Sequence, residues 1–210
     1  MHFPTRRGGS HIRRAVILSA ALLFAAGPAP GNANGDVARG AAKAAACAVC
    51  HGAAERPPLP AMPALAGQQT AFLVLQMFFM REGLRVVQPM AGLLKDFSDR
   101  DLEDVAAFFS AQKPSPDNGK RDQQHYARGA DLSRGMGCGS CHLADYRGQR
   151  HIPRITGQRE DYLALTLKAY RDDQRTGADT SMNAAMYRAT DSDIRALAHY
   201  LAQQQATAAQ

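Results

Sequence analysis

The pentapeptide Cys-X-X-Cys-His occurs twice in this chain, as Cys47-Ala48-Val49-Cys50-His51 and Cys138-Gly139-Ser140-Cys141-His142, and the two copies use all 4 cysteines. The pattern reads as c-type haem attachment. In that chemistry each thiol adds to a haem vinyl group, and two residues between the cysteines match the vinyl spacing. The histidine that follows at once lies beneath the porphyrin and binds iron through an imidazole nitrogen. A disulfide framework would also use an even number of cysteines in an exported chain, but it gives no reason for a histidine after each pair. A zinc ribbon expects a gap of roughly 15–20 residues between its two pairs, whereas Cys50 and Cys138 are 88 positions apart. A thioredoxin-like pair needs a βαβ setting, and neither motif has strand-like alternation around it. Two covalently bound haem c groups are therefore expected, on Cys47 and Cys50 and on Cys138 and Cys141. His51 and His142 are the first axial ligands.

The N-terminus reads as an export signal. Arg6, Arg7, Arg13 and Arg14 form a positive region without an acid, the apolar run Ala15 to Ala26 follows, and Gly27, Pro28 and Pro30 break it ahead of Gly31-Asn32-Ala33. This is the layout of a secretory signal peptide over residues 1–33, cleaved after Ala33. The apolar run has 12 residues, short of the ~20 that a membrane span needs, so an uncleaved anchor is the lesser reading. Arg6-Arg7 hints at twin-arginine export. Haem attachment to an unfolded, translocated chain favours the general route, and a periplasmic location is expected.

Removing that segment takes 4 of the 25 basic side chains and leaves 21 against 19 acidic ones. The mature chain is nearly neutral, and no basic cluster with interleaved aromatics supports nucleic-acid binding. Residues 34–117 carry 8 basic and 9 acidic side chains, and residues 118–210 carry 13 and 10. Such a dipole can orient a molecule on a partner; scattered surface charge accounts for it equally well.

The mature chain reads as one unit written twice. Ala38-Arg39-Gly40 recurs as Ala127-Arg128-Gly129, and the segment Pro63 to Gln68 as Pro153 to Gln158. Arg81 and Arg85 recur as Arg171 and Arg175, and Ser98-Asp99-Arg100-Asp101-Leu102 as Thr190-Asp191-Ser192-Asp193-Ile194. The offset stays between 89 and 92. This predicts two tandem all-α domains over 34–111 and 125–210, joined by a Pro- and Gly-containing linker over 112–124. Each is small for a core of its own, which a buried haem would complete. Helices are predicted from Asp36 to Cys50, from Thr70 to Arg81, and from the capping residues Ser98 and Thr190 onward. Pro57, Pro58, Pro60 and Pro63 exclude helix after the first motif.

The second axial ligands follow by elimination. Apart from His51 the first unit has no histidine, which leaves Met62, Met77, Met80 and Met90. Met77 and Met80 fall in the apolar central helix and read as packing, and Met62 has Ile152 opposite it in the second copy. The second unit offers Met136, Met182, Met186, His125, His151 and His199. Met90 stands 8 residues before Ser98 and Met182 stands 8 before Thr190, a register that Met186 fails. His199 reads as a packed or solvated helix residue, and His125 and His151 as surface groups. The expected pairs are His51 with Met90 and His142 with Met182. A thioether is soft and neutral and raises the potential of its iron. Two six-coordinate irons favour electron transfer over chemistry on a substrate.

These motifs in this order resemble the dihaem cytochrome c4 family of bacteria over nearly the whole mature chain. The resemblance implies two class I cytochrome c domains related by a pseudo-twofold axis, each wrapped around a covalent haem. It also implies helix crossings where Gly40 meets Phe108 and Gly129 meets Tyr200. Family members are periplasmic, often membrane-associated, and pass electrons towards terminal oxidases. The expected function is accordingly a dihaem electron carrier rather than an enzyme. Its redox partners would be a bc-type complex or a dehydrogenase as donor and a terminal oxidase as acceptor, with peripheral membrane association. An electron-accepting subunit of a periplasmic dehydrogenase, as in flavocytochromes, is the alternative. A dihaem peroxidase, which needs a displaceable distal ligand, is a third reading.

Overall fold

The computed structural model describes residues 1–2, 35–53, 57–114, 119–175 and 180–205. Asn32–Gln210 forms one unit; the other, Met1–Gly31, covers all but the last two residues of the signal peptide expected over 1–33, which lies outside the described residues apart from Met1 and His2. Among the described residues no helix is long and apolar enough to cross a membrane. They contain nine α-helices and no strand, with Gln149 and Ile152 forming an isolated antiparallel bridge. In chain order these are α1 (Val37–Ala44), α2 (Ala48–His51), α3 (Thr70–Arg81), α4 (Asp99–Ser110), α5 (Gln123–Gly135), α6 (Cys138–His142), α7 (Glu160–Arg171), α8 (Ser181–Met186) and α9 (Asp191–Ala202). The start of α5 at Gln123 makes the last two residues of the expected linker helical.

The same packing plan appears twice. In the first half α4 packs against α1 and α3, and in the second α9 packs against α5 and α7. Apolar residues at helical spacing dictate this: α4 buries Leu102, Val105, Ala106 and Phe109, and α9 buries Ile194, Leu197, Ala198 and Leu201. Each fully buried Leu or Phe contributes about 1.5–3 kcal/mol. Both terminal helices begin in capping boxes, Ser98 with Asp101 and Thr190 with Asp193, in which side chain and backbone satisfy each other reciprocally. Arg81 binds the Phe97 carbonyl at 2.9 Å and Asp99 at 2.7 Å, and Arg171 makes the equivalent links to Ala189 and Asp191. The arginine repeated in both copies thus ties the end of the central helix to the start of the last one.

The single helix expected over Asp36 to Cys50 is two helices separated by a turn at Ala45–Cys47. In the second copy the matching break falls at Gly137, whose φ of 68° lies in the left-handed region that glycine enters without penalty. The alanines of the first copy carry no such signal.

Glycine is required where the helices cross. A Cβ on Gly40 would stand 1.9 Å from the Asp104 carbonyl oxygen, and one on Gly129 2.1 Å from that of Ala196. The Cβ atoms of Phe108 and Tyr200 close the same contacts. Asp104 is a further constraint found only in the first half, since Ala196 occupies its place in the second. Its carboxylate is 1 % exposed, accepts from the Asp36 N–H at 2.6 Å, and receives the Arg39 guanidinium at 2.7 and 2.8 Å. The Arg39 hydrogen bond, ahead of all other causes, holds the Asp104 carboxyl below the usual carboxylate range. His199, expected to be packed or solvated, is packed. Its Nε2 accepts from the Asp122 N–H and its Nδ1 donates to Glu160, both at 2.9 Å, which joins α9 to the starts of α5 and α7.

Two outcomes follow from these contacts. Gly129→Ala forces a Cβ onto rigid backbone, so its urea midpoint should fall by the equivalent of about 2 kcal/mol or more despite alanine's better helix propensity. For Asp104, a folded-state value below the unfolded one means stability that is present above the unfolded value near 3.9 and lost as pH falls through the folded value. Asp104→Asn should therefore be markedly less stable than the parent near neutral pH, with the gap closing in strong acid; a gap that widens on acidification contradicts this assignment.

Candidate haem-binding site

Each five-residue motif folds as a short helix, α2 or α6, that ends in its histidine and then turns sharply. Gly52 makes the turn in the first copy with φ 71° and ψ 162°, and Leu143 makes it in the second with φ 68° and ψ 162°. A leucine in that region carries backbone strain of about 1–3 kcal/mol. The turn sends the chain back beneath the imidazole, where His51 Nδ1 lies 3.0 Å from the Pro63 carbonyl and His142 Nδ1 lies 2.9 Å from the Pro153 carbonyl. A carbonyl can only accept, so Nδ1 carries the proton in both rings and Nε2 is left to bind metal. Burial, as the main cause, lowers the pKa of both imidazoles and keeps them neutral, as ligation needs. The four cysteines form no disulfide: Cys47 and Cys138 are half-buried and Cys50 and Cys141 exposed, which leaves each sulfur available for a thioether bond. Burial also raises the Cys47 thiol.

A continuous cavity of about 620 Å³ runs between the halves and is lined by Cys47, His51, Met90, Cys138, Cys141, His142 and Met182. Both motifs therefore open into one interior. Met62, Met77, Met80, Met136 and Met186 line it too, so lining alone does not single out the distal sulfurs. Met77 and Met186 are also buried in the core clusters. Met90 sits at the end of a 3₁₀ turn, Gln88–Met90, and Met182 lies in α8. Asn183 holds α8 in place by donating to the Tyr170 carbonyl at 3.1 Å and to Asp173 at 2.9 Å. Of the other histidines, His151 is exposed at the cavity's edge, and His125 stands 3.3 Å from Asp122 at the start of α5.

The cavity walls fit a haem. Phe72, Leu73, Leu94, Leu163 and Leu167 supply an apolar surface, and the buried Arg154 with the half-buried Arg85 and Arg175 supplies positive charge. Among the described residues the hydrogen-bond partners of these arginines are neutral: Gln76 for Arg85, the Ala66, Gly67 and Thr156 carbonyls for Arg154, and Tyr162 and Thr166 for Arg175. Burial lowers Arg154 to about 10, and burial followed by the charge of Arg175 lowers Arg85. Although burial opposes it, the charges of Arg175 and Arg85 bring Tyr162 down to about 8. Cations drawn out of water whose partners among the described residues are neutral favour anionic groups in the same space, and haem propionates are such groups. The repetition of Arg85 as Arg175 was visible in the sequence; their convergence on one cavity was not.

An all-α fold, two Cys-X-X-Cys-His helices and carbonyl-oriented imidazoles around an apolar, arginine-bearing cavity define a dihaem c-type cytochrome. The cytochrome c family profile matches residues 126–205. The chain is 38 % identical to cytochrome c4 of Pseudomonas aeruginosa over 81 % of its own length and 89 % of that protein. Reduced cytochrome c4 from Pseudomonas stutzeri superposes with a TM-score of 0.74 at 34 % identity, covering 81 % of this chain and 98 % of that one. A thiosulfate dehydrogenase electron acceptor of Thiomonas intermedia is 30 % identical over 77 % of this chain and 80 % of its own. The chain belongs to the cytochrome c4 family. It is an electron-transfer cytochrome with two covalent haem c groups, not an enzyme.

Proposed function

We propose that this cytochrome is a periplasmic carrier that takes single electrons from a bc-type complex or a dehydrogenase and delivers them towards a terminal oxidase. In this reading the two halves are domains over 34–111 and 125–210, exported by the signal peptide at 1–33. Thioethers form at Cys47, Cys50, Cys138 and Cys141, and the irons are bound by His51 with Met90 and by His142 with Met182. The bound haems supply reversible one-electron storage. The chain supplies neutral imidazoles locked by the Pro63 and Pro153 carbonyls, soft sulfur donors and a shielded interior. The observation that carries the proposal is the continuous cavity reached by both motifs, an apolar interior in which two redox centres would lie together.

A specific relative favours a narrower donor: the similarity to a thiosulfate dehydrogenase electron acceptor fits a chain that is reduced directly by a dehydrogenase. Mixing the oxidised protein with a thiosulfate dehydrogenase and thiosulfate, or with a bc-type complex and quinol, distinguishes the two donors by which reduces it within a turnover.

The ligand assignment has its own test. Met90→Ala and Met182→Ala should each remove about half of the far-red absorption of methionine-bound ferric haem, lower the potential of one site and let carbon monoxide bind there. Met62→Ala and Met136→Ala should leave all three properties unchanged. Loss of the band in either of the latter pair would reassign that sulfur.

A further inference from the structure

The peptide unit that orients each histidine is gripped from the opposite half. The Pro63 carbonyl, which accepts from His51, belongs to the same peptide as the Ala64 N–H, and that N–H donates to Gln158 Oε1 at 2.8 Å. The Pro153 carbonyl, which accepts from His142, shares its peptide with the Arg154 N–H, which donates to Gln68 Oε1 at 2.6 Å. Each glutamine completes a two-point clasp: Gln158 Nε2 donates to the Ala64 carbonyl and Gln68 Nε2 to the Arg154 carbonyl, both at 3.0 Å. The glutamines are 3 % and 4 % exposed. The orientation of each amide is fixed independently, because Gln158 Oε1 also accepts from the Arg159 N–H and Gln68 Oε1 from the Gln69 N–H, both at 2.9 Å.

A hydrogen bond accepted from a peptide N–H polarises that peptide and increases the negative charge on its carbonyl oxygen, strengthening the next bond by about 10–30 %. The chain Gln158 Oε1, Ala64 N–H, Pro63 carbonyl, His51 Nδ1–H is an unbroken relay of this kind. Its last link sets how basic the imidazole is towards metal, and a more basic ligand favours the oxidised iron. We infer that Gln158 and Gln68 are positioning residues that each tune the histidine of the other half, so that the redox balance at one site is set partly from across the seam. This rests on His51 and His142 being iron ligands.

In the holoprotein, Gln158→Met removes the acceptor at nearly constant volume. It should shift the one-electron equilibrium of the His51 site about threefold towards the reduced state, ~28 mV upward at 59 mV per tenfold, and leave the His142 site unmoved. Gln68→Met should do the reverse. Potentials are read by spectroelectrochemistry and assigned through the hyperfine-shifted ring signals of the two histidines. Gln158→Glu keeps an oxygen on the Ala64 N–H, so its His51 site should stay at or below the parent potential; it carries the test if the methionine variant does not fold. Equal shifts at both sites, a shift confined to the glutamine's own half, or a rise in the glutamate variant as large as in the methionine one would show a merely structural clasp and overturn the inference. If the unsubstituted protein lacks hyperfine-shifted signals from His51 or His142, the ligand reading fails first and the inference with it.

Discussion

The bond between each motif imidazole and a proline carbonyl eleven or twelve residues further on is the contact around which the protein is organised. It can form only if the short motif helix ends at its histidine and the chain doubles back at once. Gly52 and Leu143 provide that reversal with a backbone geometry ordinarily reserved for glycine. The prolines then serve twice: they forbid a helix that would carry the carbonyl away, and they present an oxygen whose peptide has its N–H on the next residue. Everything further out, from the capped helices α4 and α9 to the arginine ties at Arg81 and Arg171, holds the loop and the motif helix in register.

The two halves share this plan and differ in how they stabilise it. The first uses a buried carboxylate at Asp104 to hold the start of α1, while the second has Ala196 there and secures α5 and α7 through His199. The first turns after its motif on a glycine and the second on a leucine. The expected distal sulfurs also sit on different supports, a 3₁₀ turn for Met90 and the helix α8 pinned by Asn183 for Met182. The two motifs are thus placed in unlike surroundings, and in a duplicated chain such a difference would let two redox sites differ in potential.

Much of this was legible in the residues because it rests on local rules. The capping boxes at Ser98 and Thr190 and the span of α3 follow from short-range geometry, while the glycine crossings were implied by the family resemblance. What was missed depends on contacts far apart in sequence. The break between α1 and α2 falls in a run of alanines that favour helix everywhere, and tertiary packing decides it. The buried pairing of His199 joins residues 39 and 77 positions away. Arg85 and Arg175 read only as a repeated pair until the fold brings both to one cavity. Gln68 and Gln158 were seen as repeats, yet their partners lie 86 and 94 positions distant, beyond any local pattern.

The reciprocal geometry of those glutamines has an ancestral implication. Gln68 grips the backbone at Arg154 and Gln158 grips the backbone at Ala64, so equivalent residues exchange equivalent contacts, the signature of an isologous interface between identical subunits. A chain of this design is what joining the two subunits of a symmetric homodimer end to end would give. In such a chain each half can vary separately, while the shared handclasp at the centre makes neither dispensable to the other.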